Sequence, residues 1–131
     1  MSIDSEEIQK SRKLADFYYD NYFKHYLAKE YSKASEFLWG TINNLVYILG
    51  LFSNRKISHH DEVVSFIKEL AIIKQQNEIF EQLASAERLH ANFFHDFMDE
   101  LMFETDKNRV LKLIEILASI ADEKIKSLRN G

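Results

Sequence analysis

The residue whose surroundings point most directly to chemistry is a histidine among apolar neighbours. His90 lies within the stretch Ala84–His95 and shares one side of a predicted helix with Ala86 and Phe93. An imidazole ring among apolar side chains needs a hydrogen-bond partner, because burying it without one costs free energy. We therefore expect side chains of other helices to reach His90 and to form a site with it.

Glu36 and Trp39 are candidate partners on another predicted helix, at a spacing that places both on one strip. A carboxylate at position 36 would accept a hydrogen bond from His90 or His59, raise the pKa of that histidine and orient its ring. The same residues would also suit a buried structural network that fixes the packing of two helices.

The run His59–Glu62 contains two adjacent histidines followed by two carboxylates. Such residues can bind a metal ion or transfer protons. At the start of a helix, Asp61 and Glu62 are equally explained by the positive end of the helix dipole. We expect one of the two histidines, His59 or His60, to turn inward.

A metal site is suggested by Glu87 and His90, which have the Glu-x-x-His spacing of di-iron and di-manganese bundles. Those sites need a second such pair on another helix, and this sequence has none. We therefore expect no metal and no other cofactor.

Arginine and histidine recur at spacings that carry RNA cleavage in some helical domains, where histidine handles protons and arginine steadies phosphate charge. Arg55 precedes His60 with four residues between them, and Arg88 precedes His95 with six. Such spacings also arise by chance. Arg55 and His60 are the catalytic candidates of an alternative hypothesis, a metal-independent endoribonuclease.

The composition predicts an all-α protein. The 131 residues suit a single domain, 1–131, and 46% of them are hydrophobic, which is enough for a sizeable core. There is no proline and there are only three glycines, which favours long helices with short connections over sheets and turns. The absence of cysteine excludes disulfides, thiolate nucleophiles and cysteine-ligated clusters.

Charge and hydropathy limit the classes of partner that the protein is expected to bind. The formal net charge of −4 provides no basic field, so we predict no DNA binding. The polar, acidic N-terminus is unlike a signal peptide, and the longest apolar run, 45–52, is too short to span a bilayer. We therefore expect a soluble cytoplasmic protein without a membrane partner.

Apolar residues recur every three or four positions in five segments, which predicts five helices. Short connections between them predict an antiparallel bundle. The boundaries are about Asp4–Ala28, Ser32–Ser53, Ser58 to a break in the polar run Lys74–Asn77, Asn77–Met102, and a fifth helix capped by Thr105 or Asp106. Ser32 is expected to cap the second helix, and Ser58 the third, with Asp61 at its third helical position.

A glycine in the second helix and an apolar seam on the fifth helix predict further packing contacts. Gly40, inside the second helix, is expected to let a neighbouring element approach closely. The apolar seam of the fifth helix, which includes Ile114 and Leu117, is expected to pack either inside the bundle or against a second copy of the chain.

Three segments resemble a known family in their order and spacing: Ala34–Gly40, Ser58–His59, and Ala86 to Phe94 with its Leu89-His90 pair. They resemble the archaeal PaREP-one family, which is similar to HEPN-type helical bundles. The resemblance extends from about Leu14 to Leu117. It implies a HEPN-like fold, and HEPN relatives include nucleotide- or RNA-binding domains and ribonucleases with an Arg-x4–6-His motif.

We expect a non-catalytic, homodimeric HEPN-like module that binds a nucleotide or RNA in a polar pocket. The ligand-binding candidates are Glu36, Trp39, His59, His90 and Asn92. Two alternatives remain open: the endoribonuclease described above, and a purely structural homo-oligomeric assembly protein whose polar network has no ligand.

Overall fold

Five α-helices follow one another along residues 4–130, the part of the chain that the computed structural model describes. They are α1 (Ser5–Leu27), α2 (Tyr31–Phe52), α3 (His60–Lys74), α4 (Glu78–His95) and α5 (Glu100–Asn130). This range contains no β-strand, so the all-α prediction is confirmed. None of these helices combines the length and the apolar composition needed to cross a bilayer.

The second helix is the centre of the fold, because α2 contacts each of the other four helices. Its residues Leu38, Ile42 and Ile48 are completely buried, as expected for a helix that is apolar around most of its circumference. A polar residue on a buried face of α2 is therefore held close to side chains from other helices.

Gly40 allows α1 to approach α2 closely, which confirms the expectation for this glycine. A Cβ atom at position 40 would lie only 2.9 Å from Cδ1 of Tyr18. The aromatic ring of Tyr18 thus packs against the bare backbone of α2, in space that no other residue type would leave free.

The prediction that Ser32 caps the second helix is wrong, because α2 begins at Tyr31 and Ser32 lies inside it. The hydroxyl of Ser32 instead donates a hydrogen bond to the carbonyl oxygen of Phe93 at 3.1 Å. This bond fixes the first turn of α2 against α4.

The start of α3 also differs by one residue from the prediction. His59, and not Ser58, is the capping position, and the helix begins at His60. The backbone N–H of His59 donates to the carboxylate of Glu62 at 3.1 Å. Glu62, rather than Asp61, is therefore the acidic partner of the helix start.

The break predicted between the third and fourth helices is confirmed. Gln75 follows the last residue of α3 and adopts a left-handed conformation with φ of 54°. Its N–H and that of Gln76 bond to the carbonyls of Ile72 and Ala71. The helix thus ends without glycine or proline.

The fourth helix was expected to reach Met102, but α4 ends at His95. Asp96 has φ of 45°, which turns the chain out of the helix, and α5 begins at Glu100. The apolar stripe of the fourth helix therefore does not continue: Leu101 is 76% exposed.

The predicted caps of the fifth helix, Thr105 and Asp106, both lie inside α5. Asp99 caps it instead, with its side-chain oxygen accepting the N–H of Met102 at 2.8 Å. The apolar seam of α5 was expected to pack either inside the bundle or against a second copy. It packs inside the bundle, where Leu117 is completely buried.

Candidate functional site

Three rings from three helices meet at one place. The indole of Trp39 on α2 stacks against the imidazoles of His90 on α4 and His60 on α3, with ring centroids 4.8 and 5.0 Å apart. The two imidazoles lie 5.0 Å from each other. Trp39 is only 6% exposed, so it forms the floor of this ring cluster, and the two imidazoles cover it.

A carboxylate holds the outer imidazole in place. Nε2 of His60 lies 3.0 Å from Oε1 of Glu87, and both side chains are 44% exposed. Glu87 and His90 are separated by one turn of α4, so both can reach His60 at the start of α3. The Glu-x-x-His spacing is thus used to receive a third residue across a helix interface.

The surroundings of the inner imidazole favour its neutral form. Burial lowers the pKa of His90, the nearby His60 lowers it further, and Glu87 opposes both effects. A neutral imidazole has one nitrogen that donates and one that accepts a hydrogen bond. Near neutral pH, His90 can therefore either donate a hydrogen bond to a bound molecule or accept one from it.

Glu36 lies on the strip of α2 between Ser32, which bonds to α4, and Trp39. Its side chain is partly buried. Within residues 4–130 it forms no hydrogen bond to His90 or His59, so the expected carboxylate–imidazole pair is absent there. One turn beyond Trp39, the buried amide oxygen of Asn43 has no partner among the described residues.

Both adjacent histidines are exposed residues, but only the ring of His60 stacks on Trp39 and His90. This outcome confirms that one of the two adjacent histidines approaches His90. It places the other, a ligand-binding candidate, at the helix start instead of in the ring cluster.

Asn92 has a different position from the other candidates, because its side chain is completely buried. Its amide nitrogen donates to Oγ of Ser35 at 3.2 Å. Its amide oxygen accepts the backbone N–H groups of Phe97 and Met98, both at 2.9 Å. The amide thus ties the connection between α4 and α5 to α2.

The catalytic candidates Arg55 and His60 contact different partners. The guanidinium of Arg55 lies 3.2 Å from Glu69 and 5.7 Å from the ring of Phe66. His60 is engaged by Glu87. The two side chains are therefore not assembled into one constellation.

Arg88 belongs to a network that the sequence did not indicate. It donates two hydrogen bonds, of 3.0 and 2.7 Å, to the buried carboxylate of Asp106, which also accepts a bond from Ser85. An aspartate among the apolar residues of the fifth helix was the available signal, but we interpreted it as a cap.

The donor groups do not form a metal site: within residues 4–130, no three histidine, aspartate or glutamate side chains converge suitably for a metal ion.

No protein-family model matches the chain, and no curated protein and no solved structure matches it. The candidate site is therefore identified from the arrangement of its side chains and not from a relative.

Proposed function

We propose that the chain is a non-catalytic binding module with a HEPN-like antiparallel bundle, and that its ring cluster binds the base of a nucleotide or of single-stranded RNA. The observation that carries this proposal is the convergence of Trp39, His60 and His90 within 5.0 Å at a partly open surface. Flat rings stack on nucleobases, and each such contact is worth about 1–3 kcal/mol.

The charges beside the rings favour contact with the base over contact with phosphate. Glu87 adjoins His60, and Glu36 lies one turn before Trp39. Carboxylates accept hydrogen bonds from the N–H groups of a base, and they repel phosphate. In this arrangement the base lies on the imidazoles and the phosphates extend into water.

The ion pairs formed by the arginines support RNA or nucleotide binding over RNA cleavage. Phosphoryl transfer needs a cation beside the proton-handling histidine to stabilise developing charge. Arg55 is directed to Glu69, and Arg88 is neutralised by Asp106. Neither guanidinium is directed to the imidazoles of the ring cluster.

The test is thermal unfolding with guanosine and guanosine monophosphate, whose base offers two adjacent N–H donors. Both compounds should raise the Tm of the wild-type protein by similar amounts, because the phosphate adds little. The His90→Ala variant should show no rise, whereas His95→Ala, at the exposed end of α4, should behave like wild type. Equal shifts in both variants, or no shift in wild type, would remove the ring cluster as the site.

A second candidate function, homodimer assembly, is favoured by an exposed apolar patch where α4 meets α5. We define this corner patch as Phe94, Phe97, Leu101 and Met102, whose exposed fractions range from 43% to 76%. Several large apolar side chains exposed at one connection are typical of interaction sites in soluble proteins.

The charges at its edges suit a second copy of the chain. Acidic side chains lie at the connection between the helices, at Asp96, Asp99 and Glu100. Arg88 and Arg109 line a depression of about 290 Å³ together with two of the patch residues. Among the described residues, Asp106 is the one carboxylate beside both guanidinium groups, so the depression keeps one net positive charge, and a two-fold axis through the patch would set the acidic edge of one copy against it in the other.

Sedimentation velocity over a range of concentrations tests this assembly. Leu101→Glu should shift the distribution from dimer to monomer, since it places a charge at the most exposed residue of the patch. Ile73→Glu is the matched control, because Ile73 is also 76% exposed but lies at the end of α3. If the wild-type chain is monomeric, or if both variants behave alike, the corner patch is not the interface.

A further inference from the structure

A cleft lies between the third and fifth helices, away from the sites described above. Its volume is about 390 Å³, within the range of about 300–1,000 Å³ that is usual for small-molecule sites. The cleft exists because α3 packs against α2 and α4 and hardly contacts α5. It shares no residue with the ring cluster or with the corner patch.

The walls of this α3–α5 cleft are mostly apolar. One face of α3 contributes Phe66, Leu70 and Ile73, which follow one another at steps of four and three residues. The buried Leu49 of α2 and the half-buried Ile120 of α5 complete the apolar lining. Because Ile73 is 76% exposed, part of this apolar wall faces water in the unoccupied chain.

The charged side chains that line the cleft are mainly basic. They are Arg55, Lys74 and Lys124, with Glu69 as the one carboxylate among the lining residues. Glu69 pairs with Arg55 at 3.2 Å, and neither lysine forms an ion pair within the described part of the chain. Lys74 offsets the partial negative charge at the carboxyl end of α3, which leaves Lys124 as the least compensated cation.

Two of these cations are held near the end of α2. The backbone N–H of Arg55 donates to the carbonyl oxygen of Gly50 at 2.8 Å, and a Cβ atom at position 50 would lie only 2.7 Å from the carbonyl oxygen of Arg55. The guanidinium of Arg55 lies 5.7 Å from the ring of Phe66, and Nζ of Lys124 lies 5.8 Å from the ring of Phe52. The apolar wall thus begins beside a cation and continues along α3, where Phe66 and Ile73 are about 10 Å apart.

We propose that the α3–α5 cleft binds a medium-chain fatty acid. Its carboxylate pairs with Lys124 and with the remaining donors of Arg55. Its acyl chain lies along the wall from Phe66 to Ile73 and removes that apolar surface from water. A cationic amphiphile would meet three basic groups and one carboxylate, and a short anion such as acetate would leave the apolar wall uncovered.

Calorimetric titration with decanoate tests the head group and the chain separately. Decanoate, kept below its critical micelle concentration, should bind the wild-type protein at one molecule per chain. Decylamine has the same chain with a positive charge and should bind at least about tenfold more weakly. Acetate should give no detectable binding. No binding of decanoate, equal binding of decylamine, or several decanoate molecules per chain would overturn the proposal.

Two matched pairs of variants locate the ligand. Lys124→Gln should weaken decanoate binding about tenfold, whereas Lys126→Gln, at an exposed position of α5 outside the cleft, should leave it unchanged. Ile73→Asn should also weaken binding about tenfold, whereas its neighbour Ile72, which is 68% exposed, does not line the cleft and should tolerate the same change. If the members of either pair bind alike, the fatty acid does not occupy the cleft. His90→Ala should bind decanoate like wild type, so this test is independent of the ring cluster.

Discussion

Nε2 of His60 lies 3.0 Å from Oε1 of Glu87, and this contact links the first residue of α3 to the middle of α4. Both side chains are 44% exposed, so water weakens their attraction. The contact therefore orients the imidazole over Trp39 more than it stabilises the fold.

Glu87→Gln should accordingly have a small effect on folding. We expect the free energy of unfolding in urea to fall by less than about 1 kcal/mol, because contacts between exposed polar side chains contribute little. Glu81→Gln on the same helix provides the baseline. A loss of several kcal/mol would show that the contact is a structural element of the core.

The stability of the protein should depend on pH through His90. Burial and His60 lower its folded-state pKa below the ordinary 6.5, with Glu87 opposing them. The unfolded chain therefore binds the proton more readily, and the stabilisation is complete above pH 6.5 and is lost as the pH falls through the folded-state pKa.

The measurement is urea unfolding at several pH values between 7 and 5. The free energy of unfolding of wild type should fall in this range more steeply than that of His90→Phe, which cannot be protonated. His95→Gln should retain the wild-type slope. Parallel curves for wild type and His90→Phe would refute the assignment of this slope to His90.

Asn92→Ala should destabilise the fold strongly. The change deprives Phe97 and Met98 of the acceptor for their N–H groups and removes a bond to Ser35. We expect a loss of about 2–3 kcal/mol by chemical denaturation, because donors are left unpaired in a part-buried connection. Asn108→Ala, at an exposed position of α5, should cost little.

Gly40→Ala should destabilise the protein although alanine favours helix by about 1 kcal/mol. The new methyl group would meet the ring of Tyr18 at 2.9 Å. In a Tyr18→Ala background the ring is absent, so the same substitution should become neutral or stabilising. A double-mutant cycle measures this coupling, and additive effects would argue against the close approach.

The five helices could be predicted because their apolar residues recur with helical period, but the end of the fourth and the start of the fifth were misplaced. Phe93, Phe97 and Leu101 continue that period through the connection between α4 and α5. The chain turns there because the buried Asn92 amide accepts two successive N–H groups. No glycine or proline marks such a turn in the sequence.

The candidate site was predicted in part for a similar reason. His90 was identified because it stands among apolar residues at helical spacing, and Trp39 because it shares a strip of its helix with Glu36. The choice between His59 and His60 depends on which residue starts α3, since each helical position rotates a side chain by about 100°. A pattern of residue types locates a helix start only to within one or two positions.

Trp39 is the one tryptophan of the chain, and it lies beneath two imidazoles at 4.8 and 5.0 Å. An excited indole transfers an electron to a protonated imidazole far more readily than to a neutral one. The intrinsic fluorescence of the protein thus reports the protonation of His90 and the displacement of the rings by any occupant, without a label.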